Sequence, residues 1–372
     1  MSAPAPRTGP VGIGIIGAGV ICGTYLENLT SFPDVAVHAI GDLFPQAARA
    51  RAEEHSVAVH GGIEAVLEHD DVEIVVNLTI PSAHVEVSSA AIAAGKHVWS
   101  EKPVALDRDG GQQLIAAAQA GGVRLGCAPD TFLGTGLQTA LSVLRRGDIG
   151  TPLSALTLMQ SPGPESWHPN PAFLFAPGAG PLFDVGPYYL TTLVQAFGPI
   201  TSVAALAGTS RPQRTIGSGP KAGEVFDVTV PTHVSAIAQF AGGQSSQSIF
   251  SFDSPLPRHG FVEITGTEAT LALPDPNTFD GDLMVRRRTG QDWELLARTE
   301  AVSTRGTGVL EMARAIRAGR EHRVQGALAH HVLDAMVCIE QSAREQEFVS
   351  LASTVTPAEL LPQDWDPTTR TV

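Results

Sequence analysis

The first residues able to do chemistry are three small ones in a row, Gly17-Ala18-Gly19, directly after the apolar run Val11–Ile16. Gly17 permits a tight turn out of a strand. Gly19 lets the backbone approach a pyrophosphate, which then rests on the N-terminus of the next helix, at Val20 and Ile21. The third small position of such a loop holds Cys22, with Gly23 one place late. A second apolar run ends at Asp42, followed by Leu43 and Phe44. A carboxylate there accepts hydrogen bonds from ribose hydroxyls and repels a 2′-phosphate, and no arginine follows it to neutralise one. These residues predict a bound dinucleotide, NAD in preference to NADP.

A second group has the types needed for proton transfer. Lys102, in His97-Val98-Trp99-Ser100-Glu101-Lys102-Pro103, lies at the carboxyl end of a predicted parallel strand, the edge where open α/β sheets bind ligands. It could hydrogen-bond a substrate hydroxyl, and a nearby nicotinamide cation would lower its pKa. Pro103 forces an extended residue before it and raises the chance of a cis bond. Thr79, Pro81 and His84 follow the strand Ile74–Leu78 and suit the nicotinamide ribose. Pro129-Asp130-Thr131-Phe132 follow the last strand of that region; both stretches equally suit turns. Further on, Asp184 and Tyr188 are four apart and share one face of a helix. Trp167 and His168, in Glu165-Ser166-Trp167-His168-Pro169-Asn170, combine an aromatic face for a sugar ring with an imidazole that titrates near neutral pH. They equally fit a loop anchor beside a surface histidine.

The elements that must position these residues are readable from periodicity. Up to about Ala128, short apolar runs (Val11–Ile16, Val35–Ile40, Ile74–Leu78, His97–Trp99, Val123–Cys127) alternate with amphipathic stretches (Pro45–Glu54, Ser82–Ala94, Asp107–Ala120). Near-continuous apolar strands between helices predict a parallel sheet covered on both faces, a doubly wound α/β domain. Beyond Leu133 come a helix at Gln138–Arg146, a strand at Leu153–Met159, a loop rich in Pro and Gly over Ser161–Gly180, and a helix near Val185–Gln195. Strands then follow one another at Ser202–Leu206, Val234–Phe240, Ser246–Phe252, Phe261–Thr265, Thr270–Leu273 and Leu283–Arg287. Strands without helices between them predict an antiparallel or mixed sheet. Helices at Gly308–Ala318 and Leu328–Glu345 close the second region. The expected division is 1–130 for dinucleotide binding, 131–355 for an α+β domain, and 356–372 for a tail.

Gly17–Gly19, Asp42, Glu101-Lys102-Pro103 and Asp184-Val185-Gly186-Pro187-Tyr188, in that order, resemble the family of glucose–fructose oxidoreductase and inositol 2-dehydrogenase (Gfo/Idh/MocA). The resemblance runs from about Val11 to Leu351. It implies a Rossmann domain followed by a domain with a large, mostly antiparallel open sheet, which commonly makes oligomer contacts, so a homodimer or homotetramer is expected. It implies oxidation of hydroxyls on pyranoses, inositols and related polyols. Lys102 matches the family's catalytic lysine, Glu101 the residue near the nicotinamide amide, and Asp184 the acid of an Asp-x-Gly-x-His motif. Tyr188 stands where many members carry the catalytic histidine. The base is therefore open among Lys102, Tyr188 and His168, with Asp184 orienting. Related chemistries on this fold are glycoside cleavage through transient C3 oxidation and a non-enzymatic NAD-dependent sensor.

Bulk properties narrow the classes. The chain has 372 residues, enough for two domains, with 43% hydrophobic and 17% charged residues, the balance of a folded protein. A net charge of −14 disfavours nucleic acid and anionic membrane as partners. Cys22, Cys127 and Cys338 are odd in number and far apart, which suggests neither a disulfide framework nor a metal site. The first ten residues do not read as a signal peptide, and no run of about 18 apolar residues occurs. A cytoplasmic protein with a small-molecule sugar or polyol substrate is expected.

Overall fold

A computed structural model of the chain describes residues 8–372. The reading of the extreme N-terminus therefore falls mostly outside the described residues. Two compact units are formed. The first comprises the chain up to Gly134 with Ala301–His330 and Leu361–Val372; the second comprises Thr135–Glu300 with His331–Leu360.

In the first unit the elements run β1 (Val11–Ile16), α1 (Val20–Leu29), β2 (Val35–Gly41), α2 (Pro45–His55), β3 (Val59–Gly61), α3 (Glu64–Leu67), β4 (Ile74–Asn77), α4 (His84–Ala93), β5 (His97–Ser100), α5 (Arg108–Gly121) and β6 (Leu125–Cys127). Every residue of β1 and β4 is buried, as expected of strands covered on both faces. The six strands pair in parallel in the order β3-β2-β1-β4-β5-β6, with Ile15 opposite Ile40 on one side and Val76 on the other. The direction of strand order reverses between β1 and β4, which places a ligand crevice at the carboxyl ends there. β3 was not anticipated: it has three residues, none fully buried.

The second unit opens with α6 (Thr135–Arg145), β7 (Pro152–Gln160) and α7 (Gly180–Phe197). It continues with β8 (Ile200–Gly208), β9 (Gln213–Thr215), β10 (Val225–Asp227), β11 (His233–Phe240), β12 (Ser245–Ser251), β13 (Arg258–Gly266), β14 (Ala269–Ala272), β15 (Gly281–Arg287) and β16 (Glu294–Thr299). With β17 (Val349–Ser350) a nine-stranded sheet forms in the order β16-β15-β14-β13-β7-β12-β11-β8-β17, while β9 and β10 make a separate hairpin. Only β7 and β12 pair in parallel within the larger sheet; its other pairs are antiparallel. Burial alternates along β7 and β11, so the sheet covers one face. Helix α7 packs on β7, β11 and β12, and α6 on β15 and β16.

The expected domain limits differ from this path. Helix α8 (Thr307–Arg317) belongs to the first unit although it follows every strand of the second sheet except β17. Its arginines explain the return. Arg314 pairs with buried Asp34 at 2.7 Å, and Arg317 grips Glu73 with both terminal nitrogens. The tail is divided as well. Thr371 and Val372 donate main-chain N–H groups to Asp34, whereas Ala358 donates to Gln195 of the second unit. Polar partners distant in sequence fix these segments, and periodicity cannot report them. The chain passes from the first unit to the second within α9 (Gly326–Glu345). Among the described residues no helix is long and apolar enough to cross a membrane.

Candidate functional site

The glycine loop leaves β1 with Gly17 at φ +108°, a conformation that favours glycine. A Cβ on Gly17 would lie 2.6 Å from the carbonyl carbon and oxygen of Leu78. Gly19 forms the N-cap of α1 without a side-chain cap, and a Cβ there would meet nothing within 4 Å. Val20, the first helical residue, is 91% exposed. The helix end is thus open above a bare stretch of backbone, the condition for receiving a pyrophosphate. Asp42 accepts the Ala18 N–H at 2.7 Å with one oxygen and the Phe44 N–H at 2.8 Å with the other. Leu43 and Phe44 beside it are exposed. An open helix end, a loop that a side chain would obstruct and a carboxylate at the tip of β2 fit NAD, which this unit's own residues would hold.

Cys22, at the third small position, is buried, and burial pushes its thiol up to about 12. It stays a thiol and acts as a small apolar filler under the helix. Arg51 is a residue the sequence reading passed over. From α2 it donates to the Gly19 carbonyl at 3.4 Å while paired with Glu54 at 2.8 Å. A lone arginine inside a helix carries no local signal of this placement.

The next edge of the crevice follows β4 and β5. Asn77, fully buried, accepts the Thr79 N–H and hydroxyl and donates to the His84 carbonyl and the Ser88 hydroxyl. Ile80 is exposed; Pro81 opens a short 3-10 turn. His84 is buried, with Nδ1 2.6 Å from the Pro103 carbonyl and Nε2 3.0 Å from the Thr79 carbonyl. Burial holds its imidazole below the ordinary value. The ring joins the loops after β4 and β5. Those two strands are neighbours, so Thr79 and the Glu101-Lys102 pair come to one sheet edge. The Lys102–Pro103 bond is cis, as is Ala128–Pro129. Asp130, fully buried, accepts the Gly306 and Gly308 N–H groups at 3.1 and 2.9 Å and so caps α8. Neither a ligand contact nor a local turn, the two sequence readings, anticipated this cap on a helix distant in the chain.

The second unit contains a cavity of about 380 Å³. Trp167, Asp184, Val185, Tyr189, His259 and Asp275 are among its lining residues. Trp167 is 67% exposed and offers an apolar face. Tyr188 lies on α7 with Asp184 but is buried and does not line this cavity; its neighbour Tyr189 does. The Tyr189 hydroxyl accepts the Gly260 N–H at 2.8 Å, and burial pushes its phenol well up. His168 also lies off the lining. Its Nδ1 accepts the Asn170 N–H at 3.1 Å, and its ring stands edge-on to Trp167 and Phe173. The loop bearing both is pinned by Arg214, whose buried guanidinium pairs with Glu165 and Asp253 and donates to the Pro162 carbonyl. His259 and Asp275 were missed because they come from the start of β13 and the loop after β14, where no motif marks them. Acidic, imidazole and indole groups around one hollow suit a ligand rich in hydroxyls. Among the described residues no group of three or more His, Cys, Asp or Glu is placed to hold a metal ion.

Comparison with known proteins agrees with this architecture. Residues 11–128 match the family described as an oxidoreductase family with an NAD-binding Rossmann fold, and residues 137–272 match the GFO/IDH/MocA C-terminal domain. Inositol 2-dehydrogenase of Ralstonia nicotianae is 34% identical over 149 residues, 38% of this chain and 43% of that enzyme. The chain thus spans less than half the length of the first curated relatives it matches. An NAD-binding oxidoreductase from Klebsiella pneumoniae superposes with a TM-score of 0.79 at 22% identity, covering 92% of this chain and 99% of that one. Levoglucosan dehydrogenase in complex with NADH and L-sorbose gives 0.79 at 19% identity, with 93% and 100% covered. At these identities the two structures speak to the fold.

Proposed function

Since this chain belongs to the Gfo/Idh/MocA family of NAD-binding oxidoreductases, we propose that it transfers hydride between NAD and a secondary hydroxyl carbon of a cyclic sugar, sugar derivative or inositol. One observation carries the reading. The parallel order of β1, β4 and β5 gathers the open glycine loop, Thr79 and the Glu101-Lys102 pair at the carboxyl edge of a single sheet. Bound NAD supplies the hydride acceptor. Lys102 is the proton-transfer group of the first unit. Two observations favour it over the other candidates: Tyr188 is buried off the cavity, and His168 is engaged within its own loop. In the second unit's own cavity Asp184 offers a carboxylate that accepts hydrogen bonds from hydroxyls, and Trp167 an indole able to cover a ring face.

Gly17 and Gly19 receive the pyrophosphate, with the first amides of α1 at Val20 and Ile21, and Asp42 favours NAD over NADP. His84 and Pro81 shape the ribose loop rather than touch the reacting atoms. We further propose a homodimer or homotetramer, and a cytoplasmic address.

The test is to incubate the purified protein with NAD and a panel of pyranoses and inositols, following formation of NADH. Lys102→Ala is expected to lower kcat on the best substrate about 100-fold or more, while NADH still binds. Undiminished turnover would remove Lys102 from the reaction. Glycoside cleavage with no net NADH would replace the dehydrogenase reading.

A further inference from the structure

A chain of three buried side chains joins the dinucleotide helix to the Glu101-Lys102 motif inside the first unit. Tyr25 lies on α1 with its side chain fully buried. The Trp99 indole N–H donates to the Tyr25 hydroxyl at 3.1 Å, and that hydroxyl donates to Glu101 Oε1 at 2.9 Å. The other oxygen of Glu101 accepts the Lys102 main-chain N–H at 3.0 Å. The directions are fixed, because an indole N–H can only donate and the phenol has one proton to give. Burial first, then the carboxylates of Glu101 and Asp130, push that phenol well above its ordinary value, so the proton stays on Tyr25. Phenylalanine would fill the same space. It would leave a Glu101 oxygen without its donor, which for a carboxylate this deeply placed is costly.

We propose that Tyr25 is a positioning residue: its hydroxyl holds the Glu101 carboxylate, and through it the backbone at Lys102, in a single orientation. The helix whose N-terminus receives the pyrophosphate thereby sets the geometry of the reacting motif. The inference rests on the role proposed above for Lys102 and on the place beside the nicotinamide that the family resemblance implies for Glu101.

A double-mutant cycle of Tyr25→Phe and Glu101→Gln tests it, read both in NADH affinity by calorimetry and in turnover. In the wild-type background Tyr25→Phe is expected to weaken NADH binding about fivefold and lower kcat about tenfold. In the Glu101→Gln background each change should shrink to about threefold or less, because a neutral amide oxygen accepts the hydroxyl more weakly than the carboxylate does. Equal effects in both backgrounds would overturn the proposal, since loss of packing does not depend on the charge of Glu101. Tyr25→His, which keeps a ring N–H donor, serves if the phenylalanine variant does not fold. It is expected to keep NADH affinity within about threefold of wild type, and a loss as large as that of Tyr25→Leu would overturn the proposal. Should the wild-type protein bind NADH but turn over no polyol, the functional reading falls, and the affinity half of the cycle still decides the role of Tyr25.

Discussion

The Asp42 carboxylate accepts the Ala18 N–H at 2.7 Å, a bond that ties the end of β2 to the glycine loop after β1. One side chain therefore shapes the loop and carries the charge at the tip of β2. Asp42→Asn keeps an acceptor for a main-chain amide and removes the charge. Its kcat/KM with NAD should fall about tenfold, and the NADP-to-NAD ratio should rise by about the same factor or more. Initial rates with both coenzymes measure this. An unchanged ratio would show that the charge at position 42 does not set the preference.

Gly17 and Gly19 are two residues apart and should fail differently. Gly17→Ala forces a side chain into φ +108° and against the Leu78 carbonyl, so it should cost about 2 kcal/mol or more in folding stability. Gly19→Ala meets open space at φ −69°, which any residue adopts. It should melt with wild type and bind NADH about tenfold more weakly, because its methyl stands where the backbone must approach the pyrophosphate. Thermal melting and calorimetry on the pair separate the two effects. Wild-type NADH affinity in Gly19→Ala would place the pyrophosphate elsewhere.

His97 gives a pH dependence. Its Nδ1 accepts the Arg124 N–H at 2.9 Å. Burial, and then the Arg124 charge, pull its pKa from 6.5 to about 4. The unfolded chain therefore takes up a proton that the folded chain refuses. The stability this histidine contributes is complete above pH 6.5 and is lost as pH falls from 6.5 to about 4. His97→Gln, which keeps an acceptor, should flatten the decline of the urea midpoint across that window and change little at pH 8. A decline as steep as that of wild type would assign the acid sensitivity to other groups.

The candidate site was legible only where local rules governed it. Gly17 sits at positive φ as a tight turn demands, and Asp42 directly follows its strand. Helix α7 begins at Gly180, five residues earlier than periodicity suggested. Pro181 at its first turn needs no N–H partner, and Pro187 is accommodated inside it. The 3.6-residue period put Asp184 and Tyr188 on one face. Adjacent residues point about 100° apart on a helix, and the packing around α7, not its period, decided that Tyr189 rather than Tyr188 lines the cavity.

By itself the order of residues determined the two kinds of sheet, the turn at Gly17 and the acid at the tip of β2, because strand periodicity and backbone sterics act over a few neighbours. Only the folded chain decided that Asp34 would be held by Arg314 and Thr371, that Tyr25 would reach Glu101, and that His259 and Asp275 would share a hollow with Asp184. Each of these depends on which distant segments are buried against one another. A buried polar group must find a partner wherever packing happens to place one.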